Sequence, residues 1–101
     1  MFIIILNYIK PLSEVNRLLD EHRTFLAQYY HAGHFFLSGP KEPRDGGIIL
    51  ATANTKAEIE AIISDDPFHR EGIADYTIIE FIPSRAAEPF SEFVPQPTAA
   101  Q

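Results

Sequence analysis

Phe2-Ile3-Ile4-Ile5-Leu6-Asn7-Tyr8 stands at the head of the chain, a short run rich in β-branched and aromatic residues. A near-continuous apolar run of this length reads as a strand covered on both faces. Lys10-Pro11 breaks it. Beyond the break, Val15, Leu18, Leu19, His22, Phe25, Leu26, Tyr29 and Tyr30 recur at helical spacing. Residues 14–32 therefore form an amphipathic helix, with Ser13 as N-cap and Gly33 as the residue just past its end. Arg17, Asp20, Glu21 and Thr24 fall on its wet side. A strand this apolar followed by a helix with one apolar stripe is the first half of a layered α+β domain.

The same units recur downstream. Residues 34–38 read as a second strand, stopped by Gly39-Pro40. Residues 41–47 are polar, carry Pro, Asp and two glycines, and read as a hairpin-type connection. Residues 48–53 are a third strand. Thr55-Lys56-Ala57-Glu58 has the form of a capping box ahead of a short helix that buries Ile59, Ile62 and Ile63. Asp65-Asp66-Pro67 ends that helix, because the residue before proline disfavours the helical region. Residues 74–82 alternate as a fourth strand. The order is βαββαβ, the ferredoxin-like plan of a four-stranded antiparallel sheet with both helices on one face. The apolar strand residues of the other face have no third layer. Two such sheets packed face to face, a dimeric α+β barrel, would cover them. Residues 1–83 form the domain and 84–101 a Pro/Ala-rich tail. Phe90 and Phe93 leave two readings of the tail open, disorder or attachment to a partner subunit.

Composition narrows the function. A chain of 101 residues holds one core. Its 46% hydrophobic and 22% charged residues are those of a globular protein. A formal net charge of −6 argues against nucleic acid, which needs a basic face, and against an anionic membrane surface. There is no cysteine, which removes disulfides, thiolate catalysis and Cys-ligated metal centres. The apolar start lacks the basic flank and cleavage site of a leader peptide, so the expected location is the cytosol. No phosphate-cradling glycine loop or dinucleotide fingerprint is present, and Gly46-Gly47 reads as a turn; no cofactor is expected.

His22 occupies a slot where the helical stripe calls for Leu or Ile. It is either a core histidine bonded to a backbone carbonyl or a proton acceptor in a pocket. Asp66 is either a stop signal with an Asx-type turn or the group that orients an imidazole. Asp65 is adjacent, and the fixed backbone at Pro67 favours Asp66. Ser38, before Gly39-Pro40, either holds a substrate oxygen or satisfies its own turn. Tyr8, Tyr29, Tyr30 and Phe68 either line an aromatic pocket or belong to the core. His31, His34 and His69 raise a metal reading, but Gly33 separates the first two and no third ligand is in register, so no metal site is expected.

Taken in order, these features resemble one family. The apolar first strand, His22 in the first helix, Gly33, Ser38-Gly39-Pro40, Gly46-Gly47, and Asp66-Pro67-Phe68 with Gly72 are similar to the YciI-like (YCII-related) proteins, small dimeric α+β barrels. The resemblance spans about residues 1–81. It implies enzymatic work through a histidine and an aspartate, here His22 and Asp66. Relatives act in aromatic catabolism, including dehydrochlorination of a chlorinated hydroxyhydroquinone; muconolactone isomerases are more distant relatives on the same barrel. The expected function is a cofactor-free lyase, with His22 and Asp66 as general base and orienter and with Ser38, Tyr8 and Phe68 around a small oxygenated substrate. The alternatives are a proton-transfer isomerase and a non-catalytic binding module. The enzyme reading requires Asp66 within hydrogen-bond reach of His22 and one imidazole nitrogen left free toward a cavity.

Overall fold

The computed structural model describes residues 1–95. Four strands, β1 (Phe2–Tyr8), β2 (Phe35–Pro40), β3 (Gly46–Ala51) and β4 (Ala74–Glu80), form one antiparallel sheet in the order β2-β3-β1-β4. The helices are α1 (Leu12–Arg17), α2 (Leu19–His31), α3 (Lys56–Ile63) and α4 (Pro67–Arg70). This is the ferredoxin-like arrangement expected from the sequence. β1 lies at the centre, pairing with β3 on one side and β4 on the other. That position explains its unbroken apolar character, since both its faces and both its edges are occupied or apolar.

Strand parity divides the sheet. Phe2, Ile4 and Leu6 of β1 are buried, as are Ile49 and Ala51 opposite them on β3. Against them pack Val15, Leu18 and Phe25 from the first helical layer and Ile59, Ile62 and Ile63 from α3. Each such side chain contributes about 1.5–3 kcal/mol on leaving water. The other parity gives the open face. Ile3, Ile5, Ile48 and Leu50 are half-buried there, while Leu37 is 59% and Ile79 44% exposed.

Several boundaries differ from the sequence expectation. The first helix starts directly behind Pro11, whose carbonyl accepts from the N–H groups of Glu14 and Val15, so Ser13 lies inside the first turn and is not the cap. That helix is also divided at Leu18, where the N–H turns back to Val15 O at 3.2 Å in a tighter, three-residue bond. Leucine is a strong helix former, so no propensity signal marks this break. The end of α2 is as expected: Gly33 has φ +85°, and Gly33 and His34 N–H close on Tyr30 and Tyr29 O in a Schellman pattern.

β2 runs on to Pro40, which an edge strand tolerates because its outer side needs no ladder donor. The glycine pair is not a turn: Gly46 and Gly47 are the first residues of β3, paired with Asn7 and Leu6. A Cβ on Gly46 would lie 1.9 Å from Leu6 O, so only glycine allows this backbone approach. β4 stops at Glu80, two residues early. Thr55 caps α3 as expected, its Oγ1 accepting from Glu58 N–H at 3.2 Å. In the tail, Glu88–Phe93 form a 3₁₀ helix, and Phe93 stacks on Phe36 of the same chain at 4.7 Å between centroids. Phe93 thus has a seat within its own chain, while Phe90 stays half exposed. The reading of the tail's end as disordered concerns residues 96–101, which lie outside the described residues.

Candidate active site

Asp66 does more than end α3. Its backbone is extended, its Oδ1 accepts from Phe68 N–H at 3.0 Å, and Pro67 takes the first position of α4. A proline there gives up an N–H that would have no helical partner in any case, so Asp-Pro is a helix start as well as a stop. The sequence expectation missed α4, though this dipeptide carried its signature. The cap fixes the carboxylate beneath α2. Arg70 ties the two elements from outside, donating to Glu21 Oε2 at 2.9 Å and Asp65 O at 3.0 Å.

His22 meets Asp66 there. Nδ1 lies 2.8 Å from Asp66 Oδ1. The Asp66 side chain is 0% exposed and that of His22 12%. Tyr76, on the helix-facing parity of β4, donates its hydroxyl to Asp66 Oδ2 at 2.5 Å. Asp66 thus faces Phe68 N–H, Tyr76 O–H and an imidazole nitrogen. A carboxylate only accepts, so Nδ1 carries a proton and, in the neutral ring, the lone pair falls on Nε2. Among the described residues no hydrogen bond involves Nε2. The ring is held flat against Phe68, with centroids 4.1 Å apart and planes 10° from parallel, and Tyr8 meets Phe68 edge-on at 5.9 Å.

The neighbouring aspartate behaves differently. Asp65 Oδ2 accepts from the Tyr29 hydroxyl near the surface. That bond, with lesser help from burial and from the Asp65 charge, pushes the Tyr29 phenol up to about 12. The Tyr76 phenol is pushed well above its ordinary range, first by burial and then by the adjacent Asp66 charge, so it stays a donor throughout the neutral range.

His22 lines a cavity of about 370 Å³ between the α1–α2 layer and the sheet. This is ligand-sized. Leu6, Leu19, Leu26 and Ile49 provide apolar walls; Tyr8, Asn16, Arg23, Ser38 and Arg44 provide polar groups. Ser38 has the helix-facing register, opposite Ile49, and its Oγ lies 2.6 Å from the Tyr30 hydroxyl. Of the residues singled out in the sequence, His22, Tyr8 and Ser38 therefore reach one cavity, with Asp66 behind His22. Phe68 corrects the expectation of a pocket wall: it is buried behind the imidazole and supports that ring from below. The other histidines stay apart. His34 Nδ1 bonds Thr52 O, His69 lies against Tyr76, and His31 is exposed. Among the described residues no three His, Asp or Glu side chains gather as a metal site.

Tyr76, Asn16, Arg23 and Arg44 were not anticipated. Asn16, Leu19, Arg23 and Leu26 follow helical spacing along one flank of the apolar stripe, which was a readable signal. Arg44 comes from the loop before β3 and reaches Asn16 Oδ1 at 2.8 Å, a contact that only the folded chain creates.

The family model for the YCII-related domain matches residues 1–82. The chain belongs to the YCII-related family. The fold of this YCII-related chain is similar to that of a solved structure, 5-chloro-2-hydroxyhydroquinone dehydrochlorinase (TftG) from Burkholderia phenoliruptrix AC1100 in complex with 2,5-dihydroxybenzoquinone, with a TM-score of 0.68 and 16% identity. The match covers 80% of this chain and 93% of that one. No curated protein matches the sequence. Among the described residues, no helix is long and apolar enough to cross a membrane.

Proposed function

We propose that this YCII-related protein is a cofactor-free lyase that removes a proton and a leaving group from a small oxygenated ring compound. The carrying observation is the His22–Asp66 pair. Its inner nitrogen is bonded at 2.8 Å, its outer nitrogen is left unbonded by the described residues, and its ring lines a cavity of about 370 Å³. An unbonded imidazole nitrogen on a residue that lines a cavity supports a proton acceptor there.

In this reading His22 Nε2 accepts the proton of an acidic O–H or C–H. Asp66 holds the Nδ1–H tautomer and stabilises the imidazolium that forms. Tyr76 and the Phe68 N–H hold Asp66. Ser38 meets a substrate oxygen. The similarity of fold to TftG favours chloride as leaving group and a chlorinated hydroxyhydroquinone as substrate. Loss of one proton and one chloride from such a ring gives a quinone-level product with no external oxidant, so the chemistry closes without a redox cofactor. A general base contributes roughly 10²–10⁴-fold, enough for a substrate that is already acidic.

The test is chloride release from 5-chloro-2-hydroxyhydroquinone under anaerobic conditions, comparing the protein with its folded His22→Ala variant. Release that the variant loses supports the lyase. Turnover within a few-fold in the variant would end the mechanism. A second copy packed on the open sheet face, covering Ile3, Ile5, Ile48 and Leu50 at its centre and Leu37 and Ile79 on its two edge strands, completes the proposal; exposed apolar area of this kind marks an interface. A sedimentation profile of a stable monomer would contradict it.

A further inference from the structure

The charge around the cavity runs against the charge of the chain. The protein has fourteen Asp and Glu against eight Lys and Arg, a net charge of −6. Yet the cavity beside His22 is lined by two arginines, Arg23 and Arg44, and by no Asp or Glu. Asp66 stays behind the imidazole, fully buried and occupied by its own donors. A chain that repels anions overall presents them one local well of opposite sign.

The two guanidiniums are available. Among the described residues Arg44 forms no ion pair; one of its five N–H donors is spent on Asn16 Oδ1 at 2.8 Å, which steers the head toward α1 and the cavity. The other cation of that loop, Lys41, is by contrast neutralised by Asp45 at 3.2 Å. Arg23 has an acidic neighbour, Asp20 at 3.5 Å, but both are solvent-facing, so water screens that pair and leaves the guanidinium free to reorient. Ser38, Tyr8 and Asn16 add neutral hydrogen-bonding groups to the same cavity.

We propose that Arg44 and Arg23 make this cavity an anion site, so that the ring compound it takes carries an ionised oxygen, as phenolate, enolate or carboxylate, besides the group that gives its proton to His22. This deepens the proposed function and rests on the cavity being the substrate site. Arg44 and Arg23 are binding groups here; the proton goes to His22 alone. The arrangement separates the two tasks spatially. The ionised oxygen is held at the loop and α2 rim, and the neutral acidic group is presented to Nε2 at the inner wall.

The experiment is titration calorimetry with two ring compounds of similar outline: 2,5-dihydroxybenzoquinone, a vinylogous acid that is anionic at neutral pH, and its neutral dimethyl ether. The protein is compared with Arg44→Gln, Arg23→Gln and a control, Arg85→Gln, whose exposed side chain lies outside the cavity. The anion is expected to bind at least tenfold tighter than the ether. Arg44→Gln is expected to remove roughly tenfold of that preference, the worth of a hydrogen bond to a charged group, and Arg85→Gln none. Raising the salt concentration weakens the anion alone, a reading that needs no variant. Equal affinity for both compounds, binding of neither, or an anion preference unchanged in both Arg44→Gln and Arg23→Gln overturns the proposal. Loss of turnover in His22→Ala is a separate reading: if turnover survives there while the anion preference falls in Arg44→Gln, the base assignment fails and the anion site stands.

Discussion

Replacing Asp66 in two ways separates what the carboxylate does for the fold from what its charge does for the chemistry. Asp66→Ala removes the cap of α4, a loss of about 1 kcal/mol. It also leaves the Tyr76 hydroxyl and the His22 Nδ1–H without their acceptor, at about 1–3 kcal/mol for each buried donor. Water reaching the part-exposed imidazole offsets some of this, so the expected destabilisation is about 3–5 kcal/mol. Asp66→Asn is different, because the backbone decides which way the amide points. Oδ1 accepts from both Phe68 N–H and His22 Nδ1. The amide oxygen must therefore take that position, since an NH₂ group there would face the Phe68 donor. The NH₂ then meets the Tyr76 oxygen, whose hydroxyl can rotate to accept. Only the Tyr76 O–H proton is left without its acceptor, so the expected loss is about 1–3 kcal/mol, below that of Asp66→Ala. The imidazole keeps its tautomer and loses only the charge that stabilises its protonated form, about 1.5–3 kcal/mol, or roughly ten- to hundredfold in rate. Urea unfolding followed by circular dichroism measures the first quantity and chloride release the second. Equal stability of the two variants would refute the hydrogen-bond reasoning. A fall of about 10⁴-fold in Asp66→Asn, the scale seen where a histidine is held in the wrong tautomer, would refute the orientation.

Further outcomes follow from the same geometry. Stability is expected to fall as pH rises above about 10, the ordinary phenol value, because Tyr76 is held neutral in the fold and its phenol ionises more readily once unfolded. Its contribution is complete below that pH and fades above it, so Tyr76→Phe, followed by thermal melting across alkaline pH, should show a shallower decline than the natural chain; an equal decline would remove Tyr76 as the cause. Gly46→Ala should fail to fold or lose more than about 3 kcal/mol, since its Cβ falls 1.9 Å from Leu6 O; a normal melt would contradict the close approach of β3 to β1. Thr55→Ala should cost about 1 kcal/mol in urea unfolding, and no change would mean that the α3 cap carries no stability.

Much of this was written in periodicity. The run from Phe2 to Tyr8 marked a central strand, and the helical stripe placed His22 on the buried side of α2, because burial on a regular element repeats with the element. Thr55 and Glu58 announced α3 because capping is local chemistry. Asp66 was legible as a residue of interest but its role as a cap was not read, since an Asp-Pro pair both stops one helix and starts the next. The glycine pair reads as a turn from sequence because glycine's signal is the same whether it frees a turn or lets two strands approach. Tyr76 lay hidden in an alternating strand; only the register opposite Leu6 sets its hydroxyl toward Asp66. Arg44 could not be read at all, because a polar loop residue acquires a site only when the loop folds back onto α1. Phe68 reads as a pocket wall from sequence because an aromatic residue near a candidate base suggests one. Its place behind the imidazole is a matter of packing that residue type does not encode.

The nitrogen chemical shifts of His22, resolved by NMR with and without 2,5-dihydroxybenzoquinone, test the proton-acceptor assignment without needing the natural substrate. The expected result is that Nδ1 keeps its proton, that the neutral ring carries its lone pair on Nε2, and that Nε2 shifts when the quinone binds. A proton on Nε2 with Nδ1 bare, or an imidazole indifferent to the ligand, would contradict a base facing the cavity.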